Sequence, residues 1–264
     1  MSSQRRCLSE ARDSHGPRPR YIYRAMKLSA PDIASAAERL AGKPAEDVMA
    51  WAVQNFGARL AIASSFSIED CVVIDLAAKI DPKVRVFALD TGRLPEETYQ
   101  TADRVREKYR IDIEWHFPAR EAVEPLERKK GLFSFMESLD NRHECCGIRK
   151  VEPLGRALAG LDAWVTGLRR EQAVTRSDTP EIEMDQGHGG IAKLNPIIDW
   201  SQEEMAAYAS KHRVPVHPLH ARGFPSIGCA PCTRAVQPGE HPRAGRWWWE
   251  NPESKECGLH PVKG

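Results

Sequence analysis

Two pairs of cysteines carry the strongest chemical signal in the chain: Cys145-Cys146, and Cys229-Ala230-Pro231-Cys232. A C-x-x-C pair met by a second pair has the spacing of a metal site, and soft thiolates suit zinc or an iron–sulfur cluster. Adjacent cysteines on a helix point about 100° apart. Both reach a bulky cube more readily than one small ion, which favours [4Fe–4S] over zinc. A thioredoxin-like redox pair should open a helix just after a strand, whereas Pro225 and Gly228 precede this one. Arg149 and Lys150 follow Cys145 and Cys146 by four residues each. On a helix each shares a face with its cysteine and can offset the negative charge of a cluster or hold an anionic substrate.

A further cysteine, Cys257, lies in a polar stretch near the C-terminus between Lys255 and His260. Neighbouring cations favour the thiolate, the reactive form. Arg243 and Arg246 add two guanidiniums three residues apart. One swinging segment could thus bring a nucleophile and anion clamps over a cleft. Cys7, by contrast, reads as an incidental exposed thiol.

Elements that position these groups follow from the hydrophobic pattern. Helices are expected over 30–41, opened by Ser29 and Pro31, and over 45–56, closed by Gly57. Short apolar runs at 60–63, 84–89, 111–115 and 163–166 read as strands. Between them lie helical spacings at 68–80, from Pro95 to about Tyr109, and within 119–158. This alternation predicts an α/β fold, a parallel twisted sheet with helices on both faces. Three strand ends are polar: Ser64-Ser65-Phe66-Ser67, Leu89-Asp90-Thr91-Gly92-Arg93 and Thr166-Gly167-Leu168-Arg169-Arg170. Backbone N–H groups and serine hydroxyls at a helix start bind anions, and ligands of open sheets sit at strand C-termini. Together these ends predict a nucleotide-sized cleft that tolerates phosphate.

Residues 1–25 read as a disordered tail, 26–232 as the α/β nucleotide-binding domain with the cysteine site, and 233–264 as a flexible catalytic segment. Met26 stands where order should begin. Three tryptophans, 247–249, suggest that the last segment docks on the body part of the time. Lys plus Arg is 38 against 37 Asp plus Glu, a net charge of +1, which excludes a bulk nucleic-acid binder. No run of 18 apolar residues exists to span a membrane. An odd count of seven cysteines without an export signal argues for reduced thiols and a cytoplasmic location.

Over roughly residues 30–264 the chain resembles the assimilatory adenylyl-sulfate reductases, within the PP-loop and phosphoadenylyl-sulfate reductase family. The resemblance rests on Ser65-Phe66-Ser67-Ile68-Glu69-Asp70, on the run Leu89 to Tyr99, and on Cys145-Cys146-Gly147 with Lys150. It continues through Thr166 to Gln172, Gly228 to Cys232, and Glu256-Cys257-Gly258-Leu259-His260. It implies an adenine nucleotide alpha-hydrolase-like fold and a [4Fe–4S] cluster on Cys145, Cys146, Cys229 and Cys232. It further implies that Cys257 attacks the sulfur of adenylyl sulfate, that AMP leaves, and that thioredoxin or a glutaredoxin-like dithiol releases sulfite from an S-sulfocysteine. Lys150, Arg243, Arg246 and His260 match positions that hold the phosphosulfate. Ser65 and Ser67, with Arg169 at the same edge, would meet the nucleotide. The cluster would act structurally and electrostatically. Ser-Phe-Ser replaces the glycine pair of ATP-splitting relatives, and His241 stands where the family has Asp.

Three other readings compete: reduction of the 3′-phosphorylated nucleotide alone or alongside, an adenylating enzyme, and a non-catalytic iron–sulfur redox sensor. The oligomeric state is left open, a homo-oligomer included.

Overall fold

The computed structural model describes residues 28–172 and 176–251. Cys7, Cys257 and His260 lie outside them. α1 (Ala30–Leu40) opens on a capping box in which Ser29 and Asp32 exchange hydrogen bonds, and α2 (Ala45–Phe56) ends at Gly57 with φ +50°. An alternation follows: β1 (Leu60–Ser64), α3 (Ile68–Ile80), β2 (Arg85–Leu89), α4 (Glu96–Tyr109) and β3 (Ile113–His116).

The expected helical stretch 119–158 is three helices. α5 (Arg120–Lys130) stops at Gly131, φ +83°. α6 (Leu139–Cys146) is capped by the Ser138 hydroxyl, which accepts from Asn141 N–H. α7 (Glu152–Leu158) follows after one π-helical turn, Gly147–Val151. β4 (Ala163–Val165) comes next, then β5 (Ile182–Asp185), β6 (Ile191–Leu194) and α8 (Gln202–Lys211).

The sheet order is β3-β2-β1-β4-β6-β5. Five strands run parallel, and β5 joins the edge antiparallel to β6. The expected parallel sheet of four strands is therefore a mixed sheet of six. β5 and β6 are four residues each, with Glu183 and Lys193 paired across them at 3.3 Å. So short a run with a charge inside it carries little period-2 signal. The strand expected at 111–115 begins at Ile113, because Arg110 is left-handed at φ +54° and turns the chain first.

Alternate residues along the strands serve two cores. Ile62, Val86 and Val165 pack with α2, α3 and α8; Ala61, Phe87 and Trp164 pack with α7. Helices thus cover both faces. The chain winds outward from β1 to β3 and then returns to β4 on the other side of β1. That reversal opens a crevice at the C-terminal ends of β1 and β4, the place where open sheets bind ligands.

Residues 233–251 belong to the segment expected to be flexible, yet they are folded onto the body. Thr233 pairs with Arg246, and Trp247 is buried.

Candidate active site

The loop after β1 turns on Phe66, whose φ of +59° is left-handed. A side chain bears a cost there, and burial of the ring 5.7 Å from that of Trp115 holds it in place. The turn lets Asp70 fold back from α3. Its Oδ2 accepts from Ser65 N–H at 2.6 Å and Ser65 Oγ at 2.7 Å. Burial lifts the Asp70 carboxyl to about 6 against the pull of those bonds. Here the chain's own carboxylate takes both Ser65 donors. Ile68 N–H donates to His220 Nε2 at 3.3 Å. Gly167, at the end of β4, must be glycine, because a Cβ there would lie 2.5 Å from Asp70 Oδ1 and 2.9 Å from its backbone nitrogen.

A cleft of about 890 Å³ occupies the crevice. Ser65, Ser67, Lys150, Arg169, Arg243 and Arg246 all line it. Arg169 is already engaged: its Nη2 reaches Glu69 at 3.2 Å and Gln202 at 2.6 Å, and its Nη1 reaches Glu171 at 2.9 Å. Only its buried Nε lacks a hydrogen-bond partner. Arg169 therefore builds the cleft wall and directs one edge of its guanidinium. His241, the departure from the family pattern, accepts from Arg243 N–H at 3.1 Å and so shapes the turn that carries Arg243. Arg176 and His220 also line the cleft and went unread in the sequence. Arg176 had one signal, its place in the same loop as Arg169; His220 had none.

Asp90 and Thr91 do not face the cleft as expected; Leu89 does. Asp90 accepts from Gly92 N–H at 2.7 Å and Tyr99 OH at 3.0 Å, which fixes the turn. Thr91 Oγ1 instead accepts from the thiol of Cys229, which lines a second, small cavity.

That second cavity gathers all four paired cysteines. Cys145, Cys146, Cys229 and Cys232 line it with Arg93, Arg142, Arg149, Lys150, Arg246, Phe135 and Trp247. Cys145 and Cys146 end α6, and the π turn after them carries Arg149 and Lys150. π turns inserted in helices are frequent at functional sites. The second pair flanks a short turn pinned to the loop after β2, where Ala230 N–H donates to Arg93 O at 2.8 Å. Burial raises the Cys145 thiol against the guanidiniums of Arg149 and Arg93; burial and the thiols of Cys229 and Cys146 push Cys232 to about 12.

Among the described residues no three His, Cys, Asp or Glu side chains converge on a single metal-ion position. The residues present fit a larger group. Four thiols share one cavity that no carboxylate and no imidazole lines, and five cations ring it. Arg149 Nε is buried beside them without a hydrogen-bond partner. Soft donors and a cationic wall suit an iron–sulfur cluster, whose four thiolates make it net negative. Lys150, Arg246 and Trp247 line both cavities, so they form the partition between them. Gly228 makes room for the Arg246 guanidinium, which a Cβ would strike.

Fold and crevice define an α/β protein with a cleft at the C-terminal ends of its strands, where such sheets bind ligands. The chain belongs to the phosphoadenosine phosphosulfate reductase domain family, which matches residues 59–235, and is a sulfur-group oxidoreductase. It is 48% identical over 230 residues to the adenosine 5′-phosphosulfate reductase of Burkholderia cepacia, covering 87% of this chain and 89% of that one. With the enzyme of the same name from Allochromatium vinosum it shares 50% over 201 residues, 76% of this chain and 78% of that one. Among solved structures it is similar to phosphoadenylyl-sulfate reductase from Candida auris in a phosphate complex. That match has a TM-score of 0.67 at 28% identity and covers 80% of this chain and 100% of the other.

Proposed function

We propose that the chain reduces adenylyl sulfate to sulfite and AMP in sulfate assimilation. The Cys257 thiolate attacks the sulfur, the bond from sulfur to the phosphate oxygen breaks, and AMP leaves with the electron pair. A thiolate of reduced thioredoxin, or of a glutaredoxin-like dithiol, then attacks the Cys257 sulfur. Sulfite departs, and the second thiol closes the donor's disulfide. One difficult reduction becomes two easier displacements.

The observation that carries this reading is the partition. Lys150 and Arg246 face the cleft on one side and the four cysteines on the other. Two cations at one wall stabilise the charge that develops on the departing phosphate, and Arg243 lines the same cleft. Ser67 and the Arg169 wall bound the nucleotide end. Cys145, Cys146, Cys229 and Cys232 would hold a [4Fe–4S] cluster, which supplies fixed negative charge and local structure when bound. Asp70 in the serine loop supports the reading too, since a loop filled by a carboxylate is ill suited to the polyphosphate of ATP. The adenosine 5′-phosphosulfate reductases named above support the unphosphorylated nucleotide as substrate. The Candida auris enzyme keeps its 3′-phosphorylated counterpart as the second reading.

Among the described residues no two cysteines are joined in a disulfide, which suits a reducing cytoplasm. Among the described residues no helix is long and apolar enough to cross a membrane. The test is sulfite release with reduced thioredoxin as donor, comparing kcat/KM for the two nucleotides. A clear preference for adenylyl sulfate is expected; preference for the phosphorylated form would install the second reading, and turnover of neither would end both.

A further inference from the structure

One buried ion pair ties the root of the C-terminal segment to the cysteine cavity. Arg142 stands on α6 three residues before Cys145 and has no exposed surface. Its Nε donates to Glu250 Oε1 at 2.6 Å, and the Glu250 side chain is 8% exposed. The Arg142 guanidinium also stands 4.6 Å from the ring of Trp247, and that of Arg246 stands 4.7 Å from it. Trp247 N–H donates to Cys232 O at 3.2 Å, and Glu250 N–H to Trp247 O at 2.9 Å. Trp247 holds a left-handed φ of +39°, a conformation that persists only where the surroundings over-determine it. The turn Trp247–Glu250 is thus tied to both cysteine-bearing segments, to α6 by a side chain and to Cys232 by the backbone.

A buried ion pair is a weak source of stability, since its desolvation offsets its attraction. What it does supply is a fixed geometry. Cys257 follows Glu250 by seven residues, a reach of at most roughly 25 Å. The geometry points to Arg142 and Glu250 as positioning residues for the reaction. Through their pair they fix the point from which the segment bearing Cys257 extends, and so set how often its thiolate meets the substrate sulfur. The inference rests on Cys257 being the nucleophile, as proposed above.

The test uses the iron-loaded full chain as wild type, as Glu250→Gln, and as the double variant Arg142→Met with Glu250→Leu, which removes both charges of the pair. The sulfonation rate of Cys257 is followed by intact mass at saturating adenylyl sulfate without thiol. Iron content and AMP affinity are measured beside it. Both variants are expected to keep iron and AMP affinity while sulfonation slows severalfold or more, because a displaced reacting group loses rate steeply. Glu240→Gln breaks the more exposed pair with Arg234 in the same segment and should sulfonate at the wild-type rate. A wild-type rate in Glu250→Gln would overturn the inference. Should that variant lose iron or fold poorly, the same rate in the double variant decides. Wild-type amides of Trp247 and Glu250 that exchange hydrogen as fast as an unfolded chain would overturn it as well. A wild type that forms no adduct would instead sink the proposed function itself.

Discussion

The Cys229 thiol donates to the Thr91 hydroxyl at 3.3 Å, across 138 residues of chain. Thr91 belongs to the loop that ends β2, and its carbonyl accepts from Arg149 Nη1 at 2.6 Å. One strand-end loop therefore touches both cysteine-bearing segments, while its neighbour Leu89 lines the cleft. The cysteine cavity and the cleft are two sides of one structure, and a disturbance of either should register in the other.

Cys145→Ala should remove the cluster from anaerobically purified protein. Iron and labile sulfide measured per chain are expected to fall to near zero. Without Cys145 the proposed cluster is one thiolate short of its four ligands. Full iron content in this variant would sink the ligand assignment.

Lys150→Ala should cost more than a surface charge, which is worth about 0–1 kcal/mol. A drop of tenfold or more in kcat/KM, about 1.4 kcal/mol, is expected, with iron retained. A normal rate would return Lys150 to the role of an ordinary solvated charge.

Gly167→Ala drives a Cβ against the Asp70 carboxylate and the N-terminal turn of α3. Overpacking of this kind costs about 1–3 kcal/mol. Thermal unfolding should shift downward, and AMP binding should weaken because the serine loop must move. An unchanged Tm would contradict the close approach of β4 and α3.

Asp70→Asn tests the buried carboxyl through pH. The folded value of about 6 lies above the ordinary 3.8. The folded state thus binds the proton more tightly than the unfolded chain. Ionised Asp70 consequently destabilises the fold: stability is greatest below about pH 4 and declines as pH rises to about 6. The asparagine variant escapes that decline. It should gain on the order of 1–3 kcal/mol over wild type at pH 7–8 and lose that advantage near pH 4. Denaturant titrations at both pH values decide, and an advantage independent of pH would contradict the buried acid.

Much of this was legible in the chain because the signals were local. Ser29 with Asp32, Pro95 and the apolar runs of β1, β2 and β4 act within one turn or one strand. The cysteine pairs announced themselves by spacing. The capping box of Ser201 and Glu204, which opens α8, was equally local and went unread. What could not be read depends on distant partners. The pairing of Arg169 with Glu69 spans 100 residues. The bonds from Ser65 to Asp70 depend on the left-handed turn at Phe66, which no local pattern announces. Arg142 and Glu250, 108 residues apart, look like ordinary surface charges in sequence. Folding buries them.

The proposed chemistry turns on one covalent state, a sulfonated Cys257. Protein purified anaerobically with its iron is mixed with adenylyl sulfate in the absence of thiol, and its intact mass is read before peptide mapping. One added SO₃ group on Cys257, discharged as sulfite by reduced thioredoxin and absent in Cys257→Ser, is the expected result. No adduct on iron-loaded protein, or an adduct on another residue, would rule out Cys257 as the nucleophile.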